Sequence, residues 1–242
     1  GTRIADRAYT LETTTFTGAK TKQDGALYRA LKQTGSSGAL FVTIFKVYTR
    51  RLQNLSYIAY IVGLLVLMNI FLLDPGEYMA ALEMGPFMFP MLAAFVSADI
   101  TLRGKETLFI YRKTPSGEGR FIKAMLYKGW AVAIPVTSAI VVALILMSPE
   151  PSFVSLVTEI GFITLIVAAD VAFASGLFLL MPAYTERGGE FMVNVMIVAM
   201  TSLGLFFVSL SVLDEFRALP FLHCIVGVVF LYLGKRNLRR IE

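Results

Sequence analysis

Six apolar runs, divided by short polar stretches, decide what this chain can fold into. A helix needs roughly 20 apolar residues to cross about 30 Å of hydrocarbon, and the runs fall at residues 56–73, 84–100, 127–147, 153–181, 191–213 and 218–233. Only Asn69 interrupts the first, and the second is short and carries Pro86 and Pro90. The third holds Pro135, the expected place for a kink. The fourth is long enough to tilt or to begin in the interface, and the sixth has Pro220 near its start, where proline costs a helix least. Composition agrees: 16% of the residues are charged, where a soluble domain carries about a quarter, and the mean hydropathy is +0.69. The predicted fold class is all-α, a polytopic membrane protein built as a six-transmembrane-helix bundle.

The loops fix the orientation. Lys46, Arg50 and Arg51 precede the first run. Arg103, Lys105, Arg112, Lys113, Arg120, Lys123 and Lys128 lie between the second and third. Arg187 stands between the fourth and fifth, and Lys235, Arg236, Arg239 and Arg240 follow the sixth. The alternate loops hold Asp74, Glu77 and Glu83, then Glu150, then Asp214, Glu215 and Arg217. By the positive-inside rule the basic loops are cytoplasmic, and six spans with both termini inside is the arrangement that separates the charges this way. The net charge of +5 therefore reports topology, and no nucleic-acid partner is expected.

Two cytoplasmic segments frame the bundle. Residues 1–37 are polar and lack the apolar core of a signal peptide; they are expected to be a cytoplasmic linker cut from something longer. Next, Phe41, Ile44, Phe45, Tyr48, Leu52 and Leu55 recur at helical spacing with Lys46 and Arg50 on other faces. Such a helix either lies in the membrane interface or docks on the bundle. The stretch from Thr101 to Lys128 is longer than a turn requires. Thr114-Pro115 reads as an N-cap followed by proline at the first helical position, with Glu118 in the first turn, where a carboxylate favours the helix dipole. Helix, sharp turn, helix is the predicted form, with residues 114–118 at the cytoplasmic tip.

This order of elements, and the pattern Glu106-Thr107-Leu108, then Thr114-Pro115-Ser116, then Glu118 and Lys123, resembles the membrane subunit of ABC-2 type transporters, the type V exporter fold. The resemblance runs from about Ala39 to the C-terminus, so residues 38–242 would be the six-span domain. It implies that Glu106, Thr107, Thr114, Pro115, Ser116 and Glu118 form a coupling hairpin docked on a separate ATP-binding cassette subunit. It also implies a dimer, or a pseudo-dimer with a second permease half to which the polar start would be the linker. Two departures stand out. Glu106 takes the place of a common glycine, and the segment from Asp214 to Leu219 is very short, so the re-entrant helices often found before the last span are either absent or consume part of the fifth span.

Several chemistries are absent. No Gly-x-x-x-x-Gly-Lys-Ser/Thr loop exists to hold ATP phosphates. One histidine and one cysteine exclude a His-Glu-x-x-His site or any multi-cysteine metal centre, so neither an enzyme, a cofactor nor a metal is expected. Asp170 and Glu159 are the two carboxylates within the fourth run. They lie 11 residues apart, roughly 16 Å along a helix, too far to serve one reacting group. A charge at the bilayer centre costs about 2.5–3.5 kcal/mol on insertion scales, so Asp170 should face the bundle or a wet cavity. There it either lines a translocation path with Glu159, or is protonated or held between helices by a hydrogen bond. His223 is expected to be a packed residue with one hydrogen bond, and Cys224 to have no redox role. Ala168, Ala172 and Gly176 form a small-residue stripe suited to close helix approach. Arg187-Gly188-Gly189-Glu190 is a turn that would offer a second contact for the ATPase.

The expected function is the permease of an ABC exporter in the plasma membrane of a prokaryote, moving its cargo with ATP hydrolysed elsewhere; the apolar spans favour a hydrophobic or amphipathic cargo. The alternative is an ion- or proton-coupled transporter or channel with Asp170 as the coupling carboxylate.

Overall fold

The computed structural model describes residues 36–49, 56, 58–60, 62–63, 85–102, 117–146, 152–183 and 189–240. Every regular element among them is helical: α1 (Ser36–Thr49), α2 (Gly85–Ser97), α3 (Asp99–Leu102), α4 (Gly117–Leu146), α5 (Phe153–Leu180), α6 (Gly189–Ser211), a 3-10 turn (Phe216–Ala218) and α7 (Leu219–Arg240). Four of these, α4 to α7, are long and apolar enough to cross a membrane. The described residues are those of an all-helical membrane protein.

The described spans differ from the sequence-based boundaries in instructive ways. α4 begins ten residues before the expected third span, because nothing from Gly117 to Leu126 breaks a helix. Its 30 residues reach about 45 Å, half as long again as the hydrocarbon. Pro135 lies inside it without ending it. Two residues on, the Thr137 hydroxyl donates to the carbonyls of Ala133 and Ile134, at 3.0 and 3.1 Å. Lys128, expected in the cytoplasmic loop, is instead helical and buried, its ammonium 4.8 Å from the centre of the Tyr48 ring of α1. α7 likewise continues past the expected end of the sixth span to Arg240. The second span is shorter than expected: α2 has 13 residues, about 20 Å, and α3 follows after a turn. Most of the expected first span and residues 103–116 lie outside the described residues.

α5 is the centre of the bundle. Within its most apolar window 72% of the residues are buried, against 22–33% for α4, α6 and α7. Burial on α5 is dense from Ile166 to Leu179. α2, α4 and α7 pack against this half, while α6 packs chiefly on α2 and α1 on α4. The first two turns of α5 project beyond its partners and leave Phe153, Val154 and Val157 exposed. Between α6 and α7 the chain needs only residues 212–218, so no re-entrant helix stands there. Asp214 turns the corner at φ 49°, a left-handed conformation that aspartate tolerates better than most residues. That turn lets the Glu215 N–H reach the Ser209 carbonyl at 3.2 Å and the Ser209 hydroxyl donate to the Glu215 carbonyl at 2.7 Å.

Candidate functional site: a buried polar node between three spans

α5 and α7 approach until their backbones touch. A Cβ placed on Gly176 would stand 2.3 Å from the Phe230 carbonyl carbon, one on Gly227 2.6 Å from the Ala169 oxygen, and one on Gly234 2.5 Å from the Gly176 oxygen. One offset in numbering, 58, separates Ala169 from Gly227, Gly176 from Gly234 and Leu179 from Asn237. A constant offset with increasing numbers means that the two helices run parallel in fixed register. The small residues recur seven apart on each helix, the spacing at which helices crossing at a shallow angle meet again.

The stripe read from the sequence therefore needs correcting. Gly176 does face α7, but Ala169 meets Gly227 in place of Ala168. The Ala168 carbonyl instead accepts a 3.0 Å bond from the Trp130 indole of α4. Gly129 of α4 makes a further close approach, a Cβ there lying 2.5 Å from Val171 Cγ1.

The basic end of the seam is clasped by amides. Asn237 of α7 donates to the Leu179 and Leu180 carbonyls at 3.1 and 3.3 Å, and Asn194 of α6 donates to Met181 at 2.6 Å. The last carbonyls of a helix have no partner within it, and here two neighbouring spans supply one.

One polar node sits within this seam. Asp170 on α5 and His223 on α7 are 1% and 2% exposed, with Oδ1 and Nδ1 2.7 Å apart. Ser202 of α6, fully buried, donates its hydroxyl to the same Oδ1 at 3.3 Å. Three membrane-crossing helices thus meet at one carboxylate oxygen. The opposite atoms, Asp170 Oδ2 and His223 Nε2, are buried with no hydrogen-bond partner among the described residues. Each such atom costs about 1–3 kcal/mol. Ser202 and His223 bind one carboxylate oxygen side by side. No cluster of three metal-binding side chains occurs among the described residues.

The remaining predicted residues are dispersed. Glu159 is half-buried near the start of α5, within electrostatic reach of Arg217 and far from Asp170. There Phe216 wedges against Phe162 of α5 and Phe206 of α6, with ring centroids 5.0 and 6.0 Å away. Glu106, Thr107, Thr114, Pro115 and Ser116 lie outside the described residues. Glu118 falls in the first turn of α4, its side chain likewise outside them. Of the Arg187-to-Glu190 turn, Gly189 and Glu190 begin α6. Cys224 is exposed beside the node and takes no part in it.

Sequence reasoning missed the pairing of Asp170 with His223. Asp170 lies 17 residues into α5 and His223 only four into α7, so counting from the helix starts sets them at different depths. The matched small residues, Ala169 and Gly176 with Gly227 and Gly234, are the signal that restores the register. No protein-family model matches the chain, and neither does a curated protein or a solved structure. What the fold and composition define is the class, a polytopic helical membrane protein.

Proposed function

We propose that the chain is the membrane-spanning permease of an ABC exporter, with six spans, cytoplasmic termini and a separate ATP-binding cassette subunit docked on residues 106–118. The observation that carries this reading is α4. It starts one residue after Thr114-Pro115-Ser116 and runs unbroken for 30 residues through the bilayer. A push delivered at Gly117 would pass into the bundle along one unbroken helix. The base of this lever is braced: α1 packs along it, and the Lys128 ammonium rests on the Tyr48 ring, a contact worth about 2 kcal/mol where desolvated. Further along, Gly129 and Trp130 seat α4 on α5 at Val171 and Ala168, so tilting α4 would move the seam around Asp170. A second copy or permease half would complete the translocation path, in a prokaryotic plasma membrane.

The test is a mild-detergent capture of the tagged protein from native membranes, followed by ATPase assays on the recovered assembly. A stoichiometric ATP-binding partner is expected, lost when residues 114–118 become a Gly/Ser linker. Recovery of intact, monodisperse protein without any ATPase would overturn the proposal.

A further inference from the structure

We propose that Asp170, His223 and Ser202 form an intramembrane proton-binding site whose loaded form closes the seam between α5 and α7. The inference depends on membrane embedding and on this geometry, and it holds whether ATP or a gradient powers the protein. Its starting point is two atoms without a partner among the described residues, Asp170 Oδ2 and His223 Nε2. They belong to side chains that are 1% and 2% exposed, on helices whose backbones touch on either side of them. A proton is the one ligand such a place accepts without a cavity.

Charge counting gives the direction. His223 Nδ1 and Asp170 Oδ1 stand 2.7 Å apart, so one hydrogen lies between them, carried by one atom or the other. If Nε2 also carries a hydrogen, the carboxylate and imidazolium together are neutral, and moving the shared hydrogen onto Oδ1 leaves them neutral. If Nε2 and Oδ2 are both bare, the pair is an anion; of the two, the imidazole nitrogen is the stronger base and takes the second hydrogen. A net charge in a dry, low-dielectric interior is strongly disfavoured, so the closed seam selects the neutral, loaded pair. When α7 separates from α5 and water enters, the Nε2–H bond breaks, its proton passes to water, and the pair becomes an anion whose Oδ2 is hydrated. Opening and proton release are thus linked, one proton per chain, and acid holds the seam shut.

Among the described residues, the charged groups on the elements around the pair are few. Lys128 of α4 is buried, but its ammonium lies over Tyr48. Glu159 is roughly 16 Å away along α5. Glu190 of α6 and Lys235 and Arg236 of α7 are exposed at helix ends, and Asp99 opens α3, which also packs on α5. The hydrogen bonds that Asp170 makes among the described side chains are those to Ser202 and His223.

The sequence supplies its own reporters, because the chain has one histidine and one tryptophan. The experiment is nitrogen NMR of the full chain, labelled with 15N-histidine, in lipid nanodiscs near neutral pH. His223 Nε2 is expected to carry a hydrogen. In Asp170→Asn the amide oxygen still accepts from Nδ1, no negative charge remains to balance, and Nε2 should become bare. A bare Nε2 in the wild-type protein, or an unchanged Nε2 in the variant, overturns the proposal. Should Asp170→Asn fail to fold, the wild-type protein decides alone. Raising the pH should strip Nε2 and shift the Trp130 emission together, since the indole bonds Ala168 two residues from Asp170. Loss of that hydrogen with constant emission would separate protonation from the seam and overturn the linkage.

Discussion

α5 and α6 are both long, continuous and apolar, yet 72% of the α5 window is buried and 33% of the α6 window. Hydrophobicity does not sort them, because lipid tails are as apolar as leucine and exert no drive for one apolar helix over another. What α5 has is shape and polarity: Ala169 and Gly176 admit the backbone of α7, and Asp170 demands partners that lipid cannot supply. α6 shows its neighbours a narrower stripe, Phe191, Asn194, Val195, Val198 and Ser202. Its opposite face, Met192, Met196, Met200 and Phe207, is exposed. In a bilayer the central helix is the one that packs closely and carries the polar group.

Breaking the node is the strongest challenge to that account. Asp170→Ala leaves His223 buried without its partner, and removing one member of a buried charged pair costs about 3–5 kcal/mol. The double variant Asp170→Leu/His223→Leu should cost less than the sum of the two single leucine substitutions, because no orphan remains. Unfolding in mixed micelles, followed by Trp130 fluorescence, measures both, and strict additivity would mean that the pair does not act as a unit. Next comes the seam itself. Gly176→Ala drives a Cβ into the backbone at Phe230, which has no flexible end to yield, so a loss of about 1–3 kcal/mol is expected. A neutral result would show that the helices part freely at this point.

The sequence made some of this legible and hid the rest for physical reasons. Long apolar runs announce spanning helices because the bilayer imposes a length, so α4 to α7 were readable to within a few residues at most ends. The helix expected after Thr114-Pro115, with Glu118 in its first turn, is the start of α4; hidden was its unbroken continuation into the third span, since a helix that leaves the membrane keeps its form while its composition turns polar, and Lys128 then looks like a loop residue. The need of Asp170 for a bundle-facing partner follows from its cost in lipid. Its partner was hidden, because depth was counted from the helix starts and α5 extends two turns beyond α7. Register between parallel spans lies in pairs of small residues, a signal spread over two helices and invisible in either alone.

The clasp at the basic end offers a milder test. Asn237→Ala removes donors from two carbonyls at the end of α5. With water or the flanking chain able to replace part of the bonding, a loss near 1 kcal/mol is expected. Asn237→Asp should be at least as damaging, because it sets a carboxylate against carbonyl oxygens at the negative end of a helix dipole. If Asn237→Ala instead leaves stability unchanged, the seam is held by its glycines and the node without help from its end.

The smallest effect is expected on the other helix, with the opposite sign. Gly204 lies in α6 on the exposed side, and a Cβ there meets nothing within 4 Å. Glycine costs a helix about 0.8–1 kcal/mol relative to alanine, so Gly204→Ala should stabilise the isolated chain slightly where Gly176→Ala destabilises it. Met200 and Gly204 share one face, four residues apart, so the comparison also tests what covers that face. If Gly204→Ala stabilises the protein at every concentration in micelles, lipid or detergent covers the face, and the small residue has no packing role. If stabilisation at low concentration gives way to loss of a higher-order species at high concentration, a helix of another copy comes as close to Gly204 as α7 does to Gly176, and the contrast between α5 and α6 becomes one between a seam within the chain and a seam between chains.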